Sequence, residues 1–223
     1  MPPLAFLEYG PPLLSGAVVT IKLALLSEVV ALLVGFVVGP ALLSRWSPLR
    51  VLCRCYVELF RGTSALIQLF FLYFVLPQLG VDLPPVTVAV LGLGLNSGAY
   101  CAEFVRGAIL AVPRGQREAA AALGLSRRDQ FRFVVLPQAA FYAVPPLGNM
   151  SIDLLKLTSI VSFITIADMT FVAYQINQTT LDTIPLFSMV LAFYFVVAQA
   201  IAFAFRRAES RLGRGMRRVS TLP

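Results

Sequence analysis

Residues 117–139 read REAAAALGLSRRDQFRFVVLPQA, a charged and alanine-rich stretch set between two uninterrupted apolar runs, 83–102 and 133–152. Its first half, Glu118 to Leu123, has the best helix-forming composition available, and Gly124 suits the left-handed residue that ends a helix. Ser126 followed three residues later by Asp129 resembles a capping box that starts the next helix. The stretch therefore predicts a helix, a turn and a second helix over about 113–137. A short helix of small side chains makes a shallow knob that fits a groove on another protein; the alternative is a plain solvated linker.

Outward from this loop the chain is apolar. Of 223 residues 58% are hydrophobic and 13% charged, with a mean hydropathy of +0.83, which excludes a water-soluble domain. At 24.3 kDa there is room for several spanning helices and no large catalytic domain outside the bilayer. Charge-free intervals at 62–81, 83–102, 133–152 and 183–205 each approach the length that crosses a core about 30 Å thick. A fifth span lies at about 13–43, interrupted by Lys22 and Glu28 alone. Residues 157–176 are apolar but contain Asp168, and are expected to form a partly buried or re-entrant segment on the outer side.

Charge placement orients these spans. With five crossings and the N-terminus outside, one inside loop holds Arg45, Arg50 and Arg54, and the next holds Arg114, Arg117, Arg127, Arg128 and Arg132. The C-terminal tail carries Arg206, Arg207, Arg211, Arg214, Arg217 and Arg218. The outside segments carry Glu8, Asp82 and Asp182 and no cation, as the positive-inside rule requires. The net charge of +7 is thus explained by membrane topology, and no nucleic-acid partner is expected. There is no histidine, and Cys53, Cys55 and Cys101 lack metal-ligand or disulfide spacing, so no metal site is expected. No basic region precedes the first apolar stretch, which is too long for a signal peptide and is expected to stay in the mature protein.

The stretch 117–139 resembles the EAA loop of permease subunits in ATP-binding cassette (ABC) importers, in the branch that carries polar amino acids. Three further segments share the resemblance: Glu58-Leu59-Phe60-Arg61-Gly62-Thr63 with Gln68-Leu69-Phe70-Phe71, Asn96-Ser97-Gly98-Ala99-Tyr100 with Glu103 and Arg106-Gly107, and Leu155-Lys156-Leu157-Thr158-Ser159. Together they cover roughly 13–207. Two positions depart from the family pattern: Ser64 stands where proline is usual, and Leu157 where a polar residue is usual.

The resemblance implies an all-α membrane protein with the type I ABC importer transmembrane fold: an extracytoplasmic N-terminus (1–12), a five-helix transmembrane domain (13–207) and a basic cytoplasmic tail (208–223). It further implies a bacterial cytoplasmic (inner) membrane location and a second permease subunit, identical or similar. The other implied partners are a dimer of cytoplasmic ATP-binding cassette subunits and an extracytoplasmic solute-binding protein. This chain has no Walker-type glycine-rich loop, so it has no ATPase site of its own, and ATP and Mg belong to the partner. Coupling to that partner is implied for Arg117, Glu118, Ala119, Ala120, Leu123 and Gly124.

Inside the membrane, Asn96, Tyr100 and Glu103 repeat at i, i+4, i+7, as do Asn149, Asp153 and Lys156, so each set shares one helix face. An ionised group at the bilayer centre costs roughly 2.5–3.5 kcal/mol, which turns such stripes toward protein or a wet cavity. For a zwitterionic solute Asp153 would meet the ammonium, and Asn96, Asn149 and Lys156 the carboxylate. The same groups can instead pair locally, as Glu58 with Arg61, Glu103 with Arg106 and Asp153 with Lys156. Lys22 and Glu28 are expected to snorkel or pack at a subunit seam, and Gly94 with Gly98 to permit close helix packing within the chain or across a dimer. The rival function is an ion-coupled secondary transporter of small polar solutes, although five spans contain no inverted repeat. A cationic amino acid, an opine, glutamine, cystine or a cyclic derivative such as ectoine all remain open as solute.

Overall fold

A computed structural model of the chain describes residues 3–217, with side chains described over 9–213. Its helices are α1 (Pro3–Ala41), α2 (Ser47–Gly62), α3 (Ala65–Phe70), α4 (Pro85–Ala111), α5 (Arg114–Ala122), α6 (Arg127–Asp129), α7 (Leu136–Leu157), α8 (Met169–Thr180) and α9 (Thr183–Arg217). Tyr9–Ala41, Pro85–Ala111, Arg127–Ile164 and Thr183–Gly213 are long and apolar enough to cross a bilayer, and Ser47–Gly62 with Ala65–Leu79 makes a fifth if the bent pair counts as one span. Residues 3–12 are helical and continuous with the rest of α1, and α9 carries the basic tail as helix as far as Arg217. Residues 218–223, which complete the tail expected from the sequence, lie outside the described residues.

Lipid tails are as apolar as leucine, so helices in a bilayer are held by close packing of small residues rather than by exclusion of water. The α1–α4 seam is built this way from both sides. A Cβ on Gly94 would meet Val30 Cβ at 2.7 Å, and one on Gly98 would meet Val34 Cβ at 3.1 Å and the Tyr56 hydroxyl at 3.2 Å. Reciprocally, a Cβ on Gly35 would collide with Cys101 Sγ, and one on Gly39 would meet the Ala102 carbonyl at 2.8 Å. Gly94 and Gly98 therefore pack within the chain. Around this seam α7 buries Leu147, Met150 and Leu154 together with Cys101 and Val105 of α4, while Gly148 lets α7 approach Phe205 of α9.

The interval 62–81, read from sequence as a span, is helical over 65–79, and a break at its N-terminal edge sets it at an angle to α2. Thr63 (φ −123°, ψ 155°) and Ser64 (φ −69°, ψ 133°) are extended, and the helices on either side meet at 103°. After α3 the chain tightens through a π turn (Phe71–Val75) and a 3-10 turn (Leu76–Leu79) to Gly80 at φ +87°. A charge-free run reports composition, and two extended residues leave it unchanged.

Residues 157–176 hold a 3-10 stretch (Thr158–Ile164), a turn at Thr165 (φ 63°) and α8. At 12 residues α8 is too short to cross a bilayer. The fully buried Asp168 caps it, accepting from Phe171 N at 2.9 Å and Thr170 N at 3.2 Å. Burial pushes its carboxyl above the usual carboxylate range, and those backbone N–H bonds pull it partly back. Thr20 Oγ1 of α1 accepts from Met169 N at 3.1 Å, fixing α8 against the first helix.

Two ionisable groups of α1 part company. Glu28, expected to snorkel or to sit at a seam, instead turns inward, where its Oε1 accepts from Ser151 Oγ of α7 at 2.8 Å. Lys22 stays exposed. Gly35→Ala is expected to destabilise the detergent-solubilised protein by about 1–3 kcal/mol through overpacking, while Gly107→Ala, whose Cβ meets nothing within 4 Å, stays within about 0.5 kcal/mol. Thermal unfolding of the two variants side by side checks this contrast.

Candidate functional site: a cavity beside a broken helix and an exposed elbow

Breaking a helix frees backbone carbonyls, and each one left buried and unpaired is costly. Here two side-chain amides take them up. Gln68 Nε2 donates to Phe60 O at 2.9 Å and to Thr63 Oγ1 at 2.6 Å, while Thr63 Oγ1 donates to Leu59 O at 2.7 Å. Asn96 Nδ2, from the middle of α4, donates to Phe60 O at 3.0 Å and to Gln68 Oε1 at 3.1 Å. Tyr56 adds a hydroxyl bond to Leu95 O at 2.6 Å. The break is thus sewn to α4.

Beside it lies a cavity of about 620 Å³, inside the about 300–1,000 Å³ range of small-molecule sites. Thr63 and Ser64 of the break, Asn96, Ser97 and Tyr100 of α4, and Asn149, Asp153 and Lys156 of α7 line it. The α4 and α7 stripes therefore face the same space. Within it Asp153 and Lys156, both mostly exposed, form an ion pair at 3.1 Å. Asn96 is 4% exposed, and both hydrogens of its amide are engaged in the break, so its free polar atom is the carbonyl oxygen. That differs from the donor role expected from sequence, because the partners that consume the donors lie 28 and 36 residues away.

Glu103 and Arg106 pair at 2.7 Å. Glu58 and Arg61 do not: the Arg61 guanidinium stands over the Tyr100 ring, 5.1 Å from its centroid, because the break ends α2 beside α4. Sequence spacing finds i, i+3 pairs, and a contact between two spans leaves no such spacing. Gln68 was quoted only for resemblance; the signal that singles it out is an amide within an apolar run next to Thr63 and Ser64.

The second feature is the elbow after α4. Gly124 has φ +77°, Ser126 Oγ accepts from Asp129 N at 3.2 Å, and helix continues from Arg127 through a π stretch into α7. Arg117 Nη2 donates to Ile109 O at 2.6 Å, tying α5 back to the end of α4. Ala120 is buried against the body, whereas Glu118, Ala119 and Gly124 are exposed and Leu123 is 81% exposed. Leu123 is thus an apolar side chain left bare at the tip of the elbow.

The family described as the binding-protein-dependent transport system inner membrane component matches residues 29–214. The chain belongs to that family. This permease is 43% identical, over 93% of its length and 90% of the relative's, to a Sinorhizobium fredii protein described as a probable amino-acid ABC transporter permease. It is 37% identical to the glutamine transport system permease protein of Escherichia coli, over 91% of this chain and 93% of that one. Among solved structures, a crystal structure of an amino acid ABC transporter with histidines superposes with a TM-score of 0.87 at 36% identity, covering 93% of this chain and 97% of that one.

The protein is accordingly a multi-pass bacterial inner-membrane permease subunit of an ABC amino-acid importer, part of an ATP-driven transporter without being its ATPase. The ion-coupled alternative falls with that membership. Binding-protein-dependent transport implies an ATPase and a solute-binding protein as partners. Gln68→Leu is expected to remove the amide bonds to Thr63 and one of the two bonds to Phe60 O, to leave Asn96 Nδ2 without its Gln68 partner, and to cost about 1–3 kcal/mol of stability. Thermal unfolding of the purified permease, with Gln78→Leu as an exposed control, measures it.

Proposed function

We propose that the cavity between α4, α7 and the broken helix is where the permease holds its solute during translocation. The observation that carries this reading is the convergence of Asn149, Asp153, Lys156, Tyr100 and the Asn96 carbonyl on one space beside an interrupted helix. Hydrocarbon repels all five, and a polar amino acid matches them. Asp153 meets the ammonium, the uncommitted Asn149 amide binds the carboxylate, and Tyr100 offers a ring face. Glutamine and cationic amino acids both fit this donor and acceptor set.

The cavity is open on one side, and a second permease, identical or similar, covers it in the assembled transporter. The N-terminus lies outside and the arginine-rich loops and tail inside, in line with the positive-inside rule. The elbow formed by Arg117, Glu118, Ala119, Ala120, Leu123 and Gly124 then seats Leu123 and its exposed neighbours on one subunit of a cytoplasmic ATPase dimer, which binds ATP and Mg. Closure of that dimer moves α5, and the Arg117 tie to Ile109 O passes the motion to α4 as a rigid body.

Two outcomes test these assignments in proteoliposomes containing the whole importer. Asp153→Asn together with Asn149→Ala is expected to lower uptake of a labelled polar amino acid at least about tenfold, the loss of one or two charge-assisted contacts; uptake at the native rate sinks the cavity assignment. Gly124→Asp places a side chain where φ is positive and a charge at the knob. It is expected to leave insertion intact and to separate ATP hydrolysis from uptake, and full coupled uptake in that variant removes the elbow from the mechanism.

A further inference from the structure

We infer that the cavity has an apolar floor that selects the solute's side chain, with Leu157 and Ile160 as its specificity-determining residues. The solute class that follows is amino acids and derivatives whose side chain begins with an apolar stem of several atoms, whatever group ends it, in preference to short or wholly polar side chains. This rests on the assignment of the cavity as the solute site. It supplies what the polar groups leave undecided, because Asn149 and Asp153 address the carboxylate and ammonium that every amino acid shares.

Helix α7 presents two parallel rows to the cavity, one residue out of phase. Asn149, Asp153 and Lys156 form an exposed row, and Met150, Leu154 and Leu157 repeat the same i, i+4, i+7 spacing about 100° further round the helix. The second row lies deeper. Met150 and Leu154 are 5% and 1% exposed and belong to the cluster where α4 and α7 meet, against which Phe104 of α4 is packed. Leu157 ends the row and Ile160 follows in the 3-10 stretch, where side chains three apart eclipse one another, so the two lie in line. Both rest on the cluster around Leu69 and Val161. Phe104, Leu157 and Ile160 are only half-buried and all three line the cavity, so packing within the chain leaves apolar surface facing the solute. A methylene or thioether stem laid there displaces water from that surface, whereas a hydroxyl or carboxamide laid there forfeits its hydrogen bonds. A polar terminus on a long stem reaches past the floor to the open side, as lysine and arginine side chains do at protein surfaces.

The test is direct binding to the detergent-solubilised permease and ATPase complex without the binding protein, so that selection by that protein does not enter. The probes are L-alanine, L-α-aminobutyrate, L-norvaline and L-norleucine, each competing with labelled L-norleucine; they share one head and differ by single methylenes. In the wild-type complex affinity is expected to rise about fourfold with each methylene, the value of burying one CH2 group. Leu157→Asn and Ile160→Thr are each expected to flatten the series, while Asp153→Asn weakens all four probes by a common factor and keeps the gain per methylene. Equal affinity across the series in the wild-type complex overturns the inference with no variant needed, and a native gain in either assembled floor variant overturns it as well. If the wild-type series is flat while Asp153→Asn weakens binding, the floor fails alone and the cavity assignment stands. If Asn149→Ala and Asp153→Asn leave binding of all four probes unchanged, the cavity assignment fails and this inference with it.

Discussion

The seam between α1 and α4 is the constraint on which the rest of this permease depends. Four glycines, two from each helix, bring the backbones close enough that added Cβ atoms would meet side-chain or carbonyl atoms at contact-breaking or tight distances. Such packing replaces the hydrophobic drive that a bilayer does not supply. Because α4 is fixed by α1, it serves as the post against which α2, α3 and α7 are positioned, and it supports two features of the molecule. The middle carries Asn96 and Tyr100 to the cavity, while the carbonyl of Ile109 holds the elbow through Arg117.

The broken helix uses the same post. Polar backbone exposed by a break has to be satisfied within the protein, and the Gln68 and Asn96 amides do this at Phe60 and Thr63. The break is therefore not a loss of order. It opens room beside α4, brings Ser64 to the wall and ends α2 so that Arg61 lies on Tyr100. Asn96 joins the two features, with its nitrogen holding the backbone of the break while the residue lines the cavity.

At the other end of the molecule the arrangement is rigid for a different reason. The elbow combines a left-handed Gly124, a Ser126 cap and continuous helix from Arg127 to Leu157, so it is joined to α7 as well as to α4. Since Asp153 and Lys156 sit on α7 and Tyr100 on α4, the two helices attached to the elbow are the two that carry the polar stripes. The elbow and the cavity are thus joined through one pair of helices.

Much of this was legible in the amino-acid order. Apolar runs, the alanine-rich elbow, the cap at Ser126 and the left-handed glycine are local features, set by composition and by neighbours three or four residues apart. They sufficed for an all-α membrane protein and for two polar helix faces, and the importer family came from the resemblance of four segments to known permeases. Only the tertiary structure decided that both faces meet in one cavity, that the run 62–81 is bent away from α2 at its start, that Glu28 turns to Ser151, and that Arg61 leaves Glu58 for Tyr100. Each of those depends on a contact between residues 28 to 123 positions apart or on two extended dihedrals, and hydropathy along the chain registers neither.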